Sequence, residues 1–134
     1  MSRLLKLLDN EDPELSSEDV LSIHVGYLLT RGKVAYSTDI PVSTKPKYVI
    51  LVLGNVSDFC YLFEVEDYVY NKDTVPSTII KYSPDKYKKT KKKTWFLFKS
   101  VQKIPVDFLD ELSQDNTIHD FKNSRANHKI IGED

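Results

Sequence analysis

Apolar positions along this chain fall mostly into short runs and two-residue alternations, and they follow a helical period in only one sustained stretch. Arg3 to Leu8 is a short apolar run before the turn-rich Asp9-Asn10-Glu11-Asp12-Pro13; it is too brief for an independent helix and reads as a first strand. Ser16 then fits a helix N-cap, with Asp19 in a capping-box position and Glu18 at the positive helix end. Val20, Ile23, Tyr27 and Leu28 share one helical face, Arg31 suits the last turn, and Gly32 is placed to take the left-handed conformation that stops the helix.

Beyond Gly32 the period changes to that of strands. Lys33 to Ser37 reads as extended, and Pro41 and Pro46 punctuate a loop. Tyr48-Val49-Ile50-Leu51-Val52-Leu53 is apolar throughout, which predicts a central strand covered on both faces. Gly54 to Asp58 reads as a turn and Phe59 to Tyr70 as a second long strand, whose later half sets Val65, Asp67 and Val69 on one side against Glu66, Tyr68 and Tyr70 on the other. Residues 71 to 93 read mostly as loop, with a short strand at Thr78 to Tyr82. Thr94 to Val101 is a strand that Pro105 ends, Val106 to Leu112 fits a short helix, and Lys129-Ile130-Ile131 fits a last strand. Strands outnumber helices, so the expected class is α+β: a curved, barrel-like mixed sheet with one main helix and short flanking helices.

The chain has 134 residues, the size of one domain, and we expect residues 1–134 to form one with no second beside it. Its only cysteine, Cys60, sits in the apolar run Phe59 to Phe63 and reads as a small buried hydrophobe in a reducing compartment. No stretch approaches the roughly 18 apolar residues that span a bilayer, and charge interrupts the N-terminus too soon for a secretion signal. The expected location is the cytoplasm, or the nucleus of a eukaryotic cell. The end, Gly132-Glu133-Asp134, fits the start of a linker to further domains of a longer parent protein.

Charge changes the picture most. Lys81 to Lys93 holds seven lysines, two tyrosines and one aspartate, and leads into the single tryptophan, Trp95. That segment carries about +6 in a chain of net −1, leaving the remainder near −7. Lysines interleaved with aromatic rings suit a phosphate backbone with bases stacked beside it; a solvated hairpin tip or a contact to an acidic protein are the alternatives. Catalytic constellations are sparse. His24, His119 and His128 are far apart, one cysteine makes no metal cluster, and neither a glycine-rich phosphate loop nor a Gly-x-Ser-x-Gly elbow is present. His24 lies one turn from Leu21 and Leu28 and reads as a packed histidine. No catalytic residue, metal or cofactor is assigned. Aromatic residues stand where strands meet loops: Tyr36, Tyr68, Tyr70, Tyr82, Tyr87 and Trp95. Two or three of them suffice for a base-stacking pocket.

The order of a first strand, Asn10 in a turn, a helix, Gly32, then Val34-Ala35-Tyr36-Ser37-Thr38 and an apolar strand resembles the YTH domain, a reader of N6-methyladenine within the PUA/EVE/ASCH group. Tyr36 stands at the position of the family's cage tryptophan, and Asn10 at that of its base-contacting asparagine. Leu8 and Asp9 replace the usual lysine and serine, and no one residue among Tyr68, Tyr70, Tyr82 and Tyr87 answers to the second cage tryptophan. Trp95 to Pro105 resembles the family's aromatic strand, and Asn123 to Ile130 its basic C-terminal segment, with Arg125 at the phosphate-contacting arginine. PUA-like domains at the N-terminus of McrB-type restriction enzymes are similar readers of modified DNA. The resemblance implies a PUA-like, noncatalytic module that takes one methylated base of DNA or RNA into an aromatic pocket. It is expected to use Tyr36, Ser37, Asn10, Thr38, Tyr68, Tyr70 and Trp95 for the base, and Lys88, Lys89, Lys91, Lys92, Lys93 and Arg125 for phosphates. The alternative within the same group is an ASCH- or EVE-like RNA-binding or RNA-processing domain without modified-base specificity.

Overall fold

The computed structural model describes residues 2–6, 16–53, 58–88, 91–108, 121 and 128–131. Its elements are β1 (Ser2–Lys6), α1 (Ser17–Arg31), β2 (Val34–Thr38), β3 (Tyr48–Val52), β4 (Phe59–Tyr70), α2 (Ser77–Ile80), a 3-10 turn (Asp85–Tyr87), β5 (Thr94–Pro105) and β6 (His128–Ile131). The class is α+β. One six-stranded sheet runs in the order β2-β5-β4-β3-β1-β6. The run β2-β5-β4-β3 is antiparallel throughout, β1 lies parallel to β3, and β6 lies antiparallel to β1. The barrel-like expectation is corrected here: β2 and β6 stand at opposite ends of this order and the sheet stays open.

Helix α1 begins and ends where its local chemistry dictates. Asp19 N–H donates to Ser16 Oγ at 3.2 Å and Ser16 N–H to Asp19 Oδ2 at 3.3 Å, so each side chain satisfies the other's backbone donor. At the far end Gly32 takes φ 84° and its N–H donates to Leu28 O at 2.7 Å. The buried face is Ser17, Val20, Leu21, His24 and Leu28, so the apolar stripe is rotated from the expected one: Ile23 and Tyr27 are half-buried and His24 is inside.

Strand β3 is covered on both faces as its composition predicts. Val49 and Leu51 join the core beneath α1, with Val34, Tyr36, Phe63, Val65, Phe96 and Phe98. Ile50 and Val52 pack on the opposite face against Cys60, Val106 and Phe121. On that same opposite face, near the β2 edge, Ala35, Ile79, Trp95 and Leu97 form a third cluster. Cys60 is fully buried, its thiol directed at Ile104 O.

Two expectations about phase and element type change. β4 and β5 slip register between Glu64 and Val65 and again between Val65 and Asp67, which places Val65 opposite Phe98 and Tyr68 opposite Phe96. A bulge adds a residue and flips the side-chain alternation beyond it, so Val65 and Tyr68 face the same core and simple alternation fails. The segment Thr78 to Tyr82, expected as strand, is helical at α2. Ile79 and Ile80 N–H both donate to Pro76 O at 3.0 Å, and Lys81 N–H to Ser77 O at 2.9 Å. Burial of Ile79 beside Trp95 overrides the β-propensity of a Thr-Ile-Ile run. Residues 106–108 form the first turn of the expected short helix, while residues 109–112 and the turn residues 54–57 lie outside the described ones.

Candidate functional site

The last residues of β2 and β4 and the first of β5 meet at one end of the sheet, because Thr38 and Tyr70 both pair with Thr94. The loop that follows β2 is stitched across this end. Ile40 N–H donates to Thr38 Oγ1 at 3.2 Å, the Thr94 hydroxyl donates to Ile40 O at 2.8 Å, and Val42 N–H donates to Thr94 Oγ1 at 3.3 Å. Tyr68 completes the stitch through its hydroxyl, which donates to Val42 O. These bonds account for the burial of Thr38 and Thr94 without any orphaned hydroxyl.

Ser43, Tyr68, Val69, Tyr70, Lys72, Thr74 and Pro76 line an open cleft of about 380 Å³ at this end. Past Tyr70 the chain reverses at Asn71, which adopts φ 53°, a left-handed conformation that asparagine tolerates better than most residues. Asn71 N–H donates to Lys93 O at 2.7 Å, closing the neck of the 71–93 segment and bringing Lys93 beside the cleft. Lys92 reaches Asp39 at 3.1 Å across the same end. Lys72, Lys91 and Lys93 are exposed and have no carboxylate partner among the described residues. The lining offers two tyrosines, the hydroxyls of Ser43 and Thr74 and the Lys72 ammonium group, with Lys92 and Lys93 tied to the same end of the sheet.

Of the residues expected from sequence, the cleft itself takes Tyr68 and Tyr70, while Lys92 and Lys93 are tied to the same end of the sheet through Asp39 and Asn71, Lys91 precedes them in the chain, and Thr38 serves there as a structural hydroxyl. Tyr36 is only 5% exposed, its ring edge-on to His24 at 5.2 Å and stacked on Phe98 at 5.9 Å. Trp95 is 2% exposed in the cluster of the opposite face. The register pairs Tyr36 with Phe96 and Ser37 with Trp95, so Tyr36 and Trp95 project from opposite sides of the sheet and cannot wall one pocket. The expected cage at Tyr36 is corrected accordingly: both rings serve the core. Ser37 shares the Trp95 face, and Lys88 pairs with Asp85 at 3.1 Å, within the segment rather than at the cleft. Asn10, Lys89 and Arg125 lie outside the described residues.

Lys72, Ser43 and Thr74 were missed. Lys72 lies outside the lysine run, and only the pairing of β4 with β5 carries it to the same place; the Asn71-Lys72-Asp73 turn after a tyrosine-rich strand was the one available signal. His24 is packed, as its spacing implied. Its imidazole is 3% exposed, held between Tyr36 and Tyr87 with Nδ1 2.7 Å from Val20 O. Burial pushes its pKa below the ordinary histidine value, against the smaller upward pull of the Val20 carbonyl. At the start of β2, the Lys33 ammonium is held above the usual lysine range, first by its 2.7 Å hydrogen bond to Glu66.

Among the described residues no group of three or more His, Cys, Asp or Glu is arranged to hold a metal ion, and no helix is long and apolar enough to cross a membrane. Comparison with protein-family models, curated proteins and solved structures finds no match to this chain.

Proposed function

We propose that this chain is a PUA-like nucleic-acid-binding module that seats one unpaired or flipped base in the Tyr68–Tyr70 cleft and holds the flanking phosphates on lysines. One observation carries the reading: an open, tyrosine-lined cleft with Lys72 in its lining and Lys93 tied to the same end through Asn71, both cations without carboxylate partners among the described residues. The Tyr70 ring offers a stacking face, the Ser43 and Thr74 hydroxyls offer donors and acceptors to a base edge, and the ammonium groups meet phosphate. A base stacked on tyrosine contributes about 1–3 kcal/mol, whereas extracting one from a duplex costs a few kcal/mol, so single strands bind more tightly than duplexes.

A preference for N6-methyladenine or another methylated base rests on the YTH resemblance of Gly32 and Val34 to Thr38. With Tyr36 in the core, that preference is to be sought at Tyr68 and Tyr70. The module is noncatalytic in this reading, a targeting unit for a larger protein such as a restriction enzyme.

The test is a titration of methylated and unmethylated oligonucleotides, single- and double-stranded. Tighter binding of single strands, weakened about 5- to 150-fold by Tyr70→Ala, is expected. Equal, negligible binding to all four sinks the proposal. Binding indifferent to methylation retains the nucleic-acid module and favours the ASCH- or EVE-like alternative, with RNA turnover by the purified protein its enzymatic form.

A further inference from the structure

A second basic and aromatic cluster lies at the other end of β2. The C-terminal ends of α1 and α2 meet there, with the Tyr27 hydroxyl donating to Lys81 O at 3.2 Å and Ala35 N–H donating to Tyr82 O at 2.9 Å. The Arg31 guanidinium lies 5.4 Å from the centre of the Tyr27 ring. The Lys81 and Lys33 ammonium groups lie 5.6 and 5.8 Å from the centre of the Tyr82 ring. Lys33 is neutralised by Glu66 at 2.7 Å, whereas Arg31 and Lys81 are exposed and have no carboxylate partner among the described residues.

The helix dipole accounts for a basic residue in the last turn of α1. It does not account for Lys81, since α2 is a single turn. Two of the carbonyls at this end are engaged: Leu28 O accepts from Gly32 N–H and Lys81 O from the Tyr27 hydroxyl. Two cations resting on tyrosine faces, with no anion supplied by the described residues, form a preset phosphate contact.

We propose that a nucleic-acid strand seated in the cleft continues past the outer edge of β2 to a second phosphate contact made by Arg31 and Lys81. This rests on the nucleic-acid reading above. Lys81 opens the segment whose other end is tied at Lys93 to Asn71, next to Lys72 in the cleft lining, so the two contacts lie at the two ends of one lysine-rich segment. Tyr82 and Tyr70 are separated by three inter-strand steps and three residues along β2, roughly 18 Å, which is about five nucleotides at the stacked rise. A very short strand cannot bridge that distance, and a longer one can.

The experiment measures fluorescence anisotropy of labelled single strands of about three and about fifteen nucleotides against the full chain over a salt series. The variants are the double substitution Arg31→Ala with Lys81→Ala, and the charge-preserving pair Arg31→Lys with Lys81→Arg, each checked by thermal melting. The alanine pair is expected to reduce the salt slope for the long strand by about 1.4, at about 0.7 per lost phosphate contact, and to leave the short strand unchanged. The charge-preserving pair is expected to restore the slope. An unchanged slope for the long strand in the alanine pair, or equal weakening of both strands, overturns the inference while leaving the cleft intact. Loss of binding to a polyglutamate peptide, with long-strand affinity kept, overturns it in favour of an acidic protein partner. If the wild-type chain binds neither strand, the nucleic-acid reading itself fails and this inference falls with it.

Discussion

Ile79→Ala tests whether the lysine-bearing segment is part of the cooperative fold. Ile79 is fully buried and packs with Ala35, Trp95 and Leu97, yet it belongs to a helix of one turn. Helices that short do not persist in water, so burial of this side chain, not helix propensity, holds α2 in place. Truncation to alanine removes three carbons, about 2.4 kcal/mol of transfer free energy at about 0.8 per carbon. A cavity adds to this, because Trp95 and Leu97 are fixed on β5 and cannot follow, so a loss of about 3 kcal/mol is expected, within the 2–5 range of such substitutions. For a chain of this size that lowers the melting temperature by roughly 10 °C. Urea unfolding should show a lower midpoint with an unchanged slope, and oligonucleotide affinity should fall under conditions where the variant remains folded. A loss below about 1 kcal/mol would mean that the segment is not docked on Trp95 in solution, and the argument that burial presents the lysines would fail.

Three further outcomes follow from individual contacts. His24 is buried neutral with a lowered pKa, so its contribution to stability is present above about 6.5 and is lost as the pH falls below that value toward the depressed folded-state pKa. Urea midpoints measured between pH 8 and 5 should decline on the acid side, and His24→Phe should flatten that decline; a decline of equal depth in the variant would assign it to other groups. Gly32→Ala meets open space at the added Cβ but forces φ 84° on alanine, so stability should drop by about 1 kcal/mol through backbone strain alone, and calorimetry showing no drop would refute this. Tyr68→Phe strips Val42 O of its hydroxyl donor and should cost about 1–3 kcal/mol in denaturant stability, with faster amide exchange confined first to residues 39–47; unchanged exchange there would show that the stitch does not hold the loop.

What was legible in the sequence is what local chemistry decides. The bounds of α1 follow from Ser16, Asp19 and Gly32, residues within a turn of the ends they set. The ends of β4 match the apolar run because the turn signals lie directly beside it. The chain did not show its phase beyond Glu64, since the register slips depend on how β5 pairs with β4. Nor did it show that Tyr36 faces inward: the same alternation permits either face, and α1 decides by laying His24 against the ring. The lysines at the cleft were legible as charge, whereas their meeting with Lys72 and Ser43 arises from pairings between residues tens of positions apart.

Charge in the 81–93 segment is distributed differently from what a solvated hairpin tip requires. The segment is fixed by Ile79 under Trp95, by Tyr82 O on Ala35, by Tyr87 on His24 and by Lys93 O on Asn71. At those anchored positions, fixed backbone lowers the ordering entropy that lysine-rich chain would otherwise lose when it meets a polyanion. Lys88 and Lys92 are spent internally on Asp85 and Asp39, which positions their neighbours and keeps like charges from repelling the segment off the sheet. Lys91 and Lys93 at one end and Lys81 at the other retain outward charge without a carboxylate partner among the described residues. In the proposed nucleic-acid reading, a segment of this kind sets where phosphates lie. Discrimination among bases then falls, in the same reading, to the residues lining the cleft, chiefly the Tyr70 ring and the Ser43 and Thr74 hydroxyls, since the Tyr68 hydroxyl is already engaged with Val42 O.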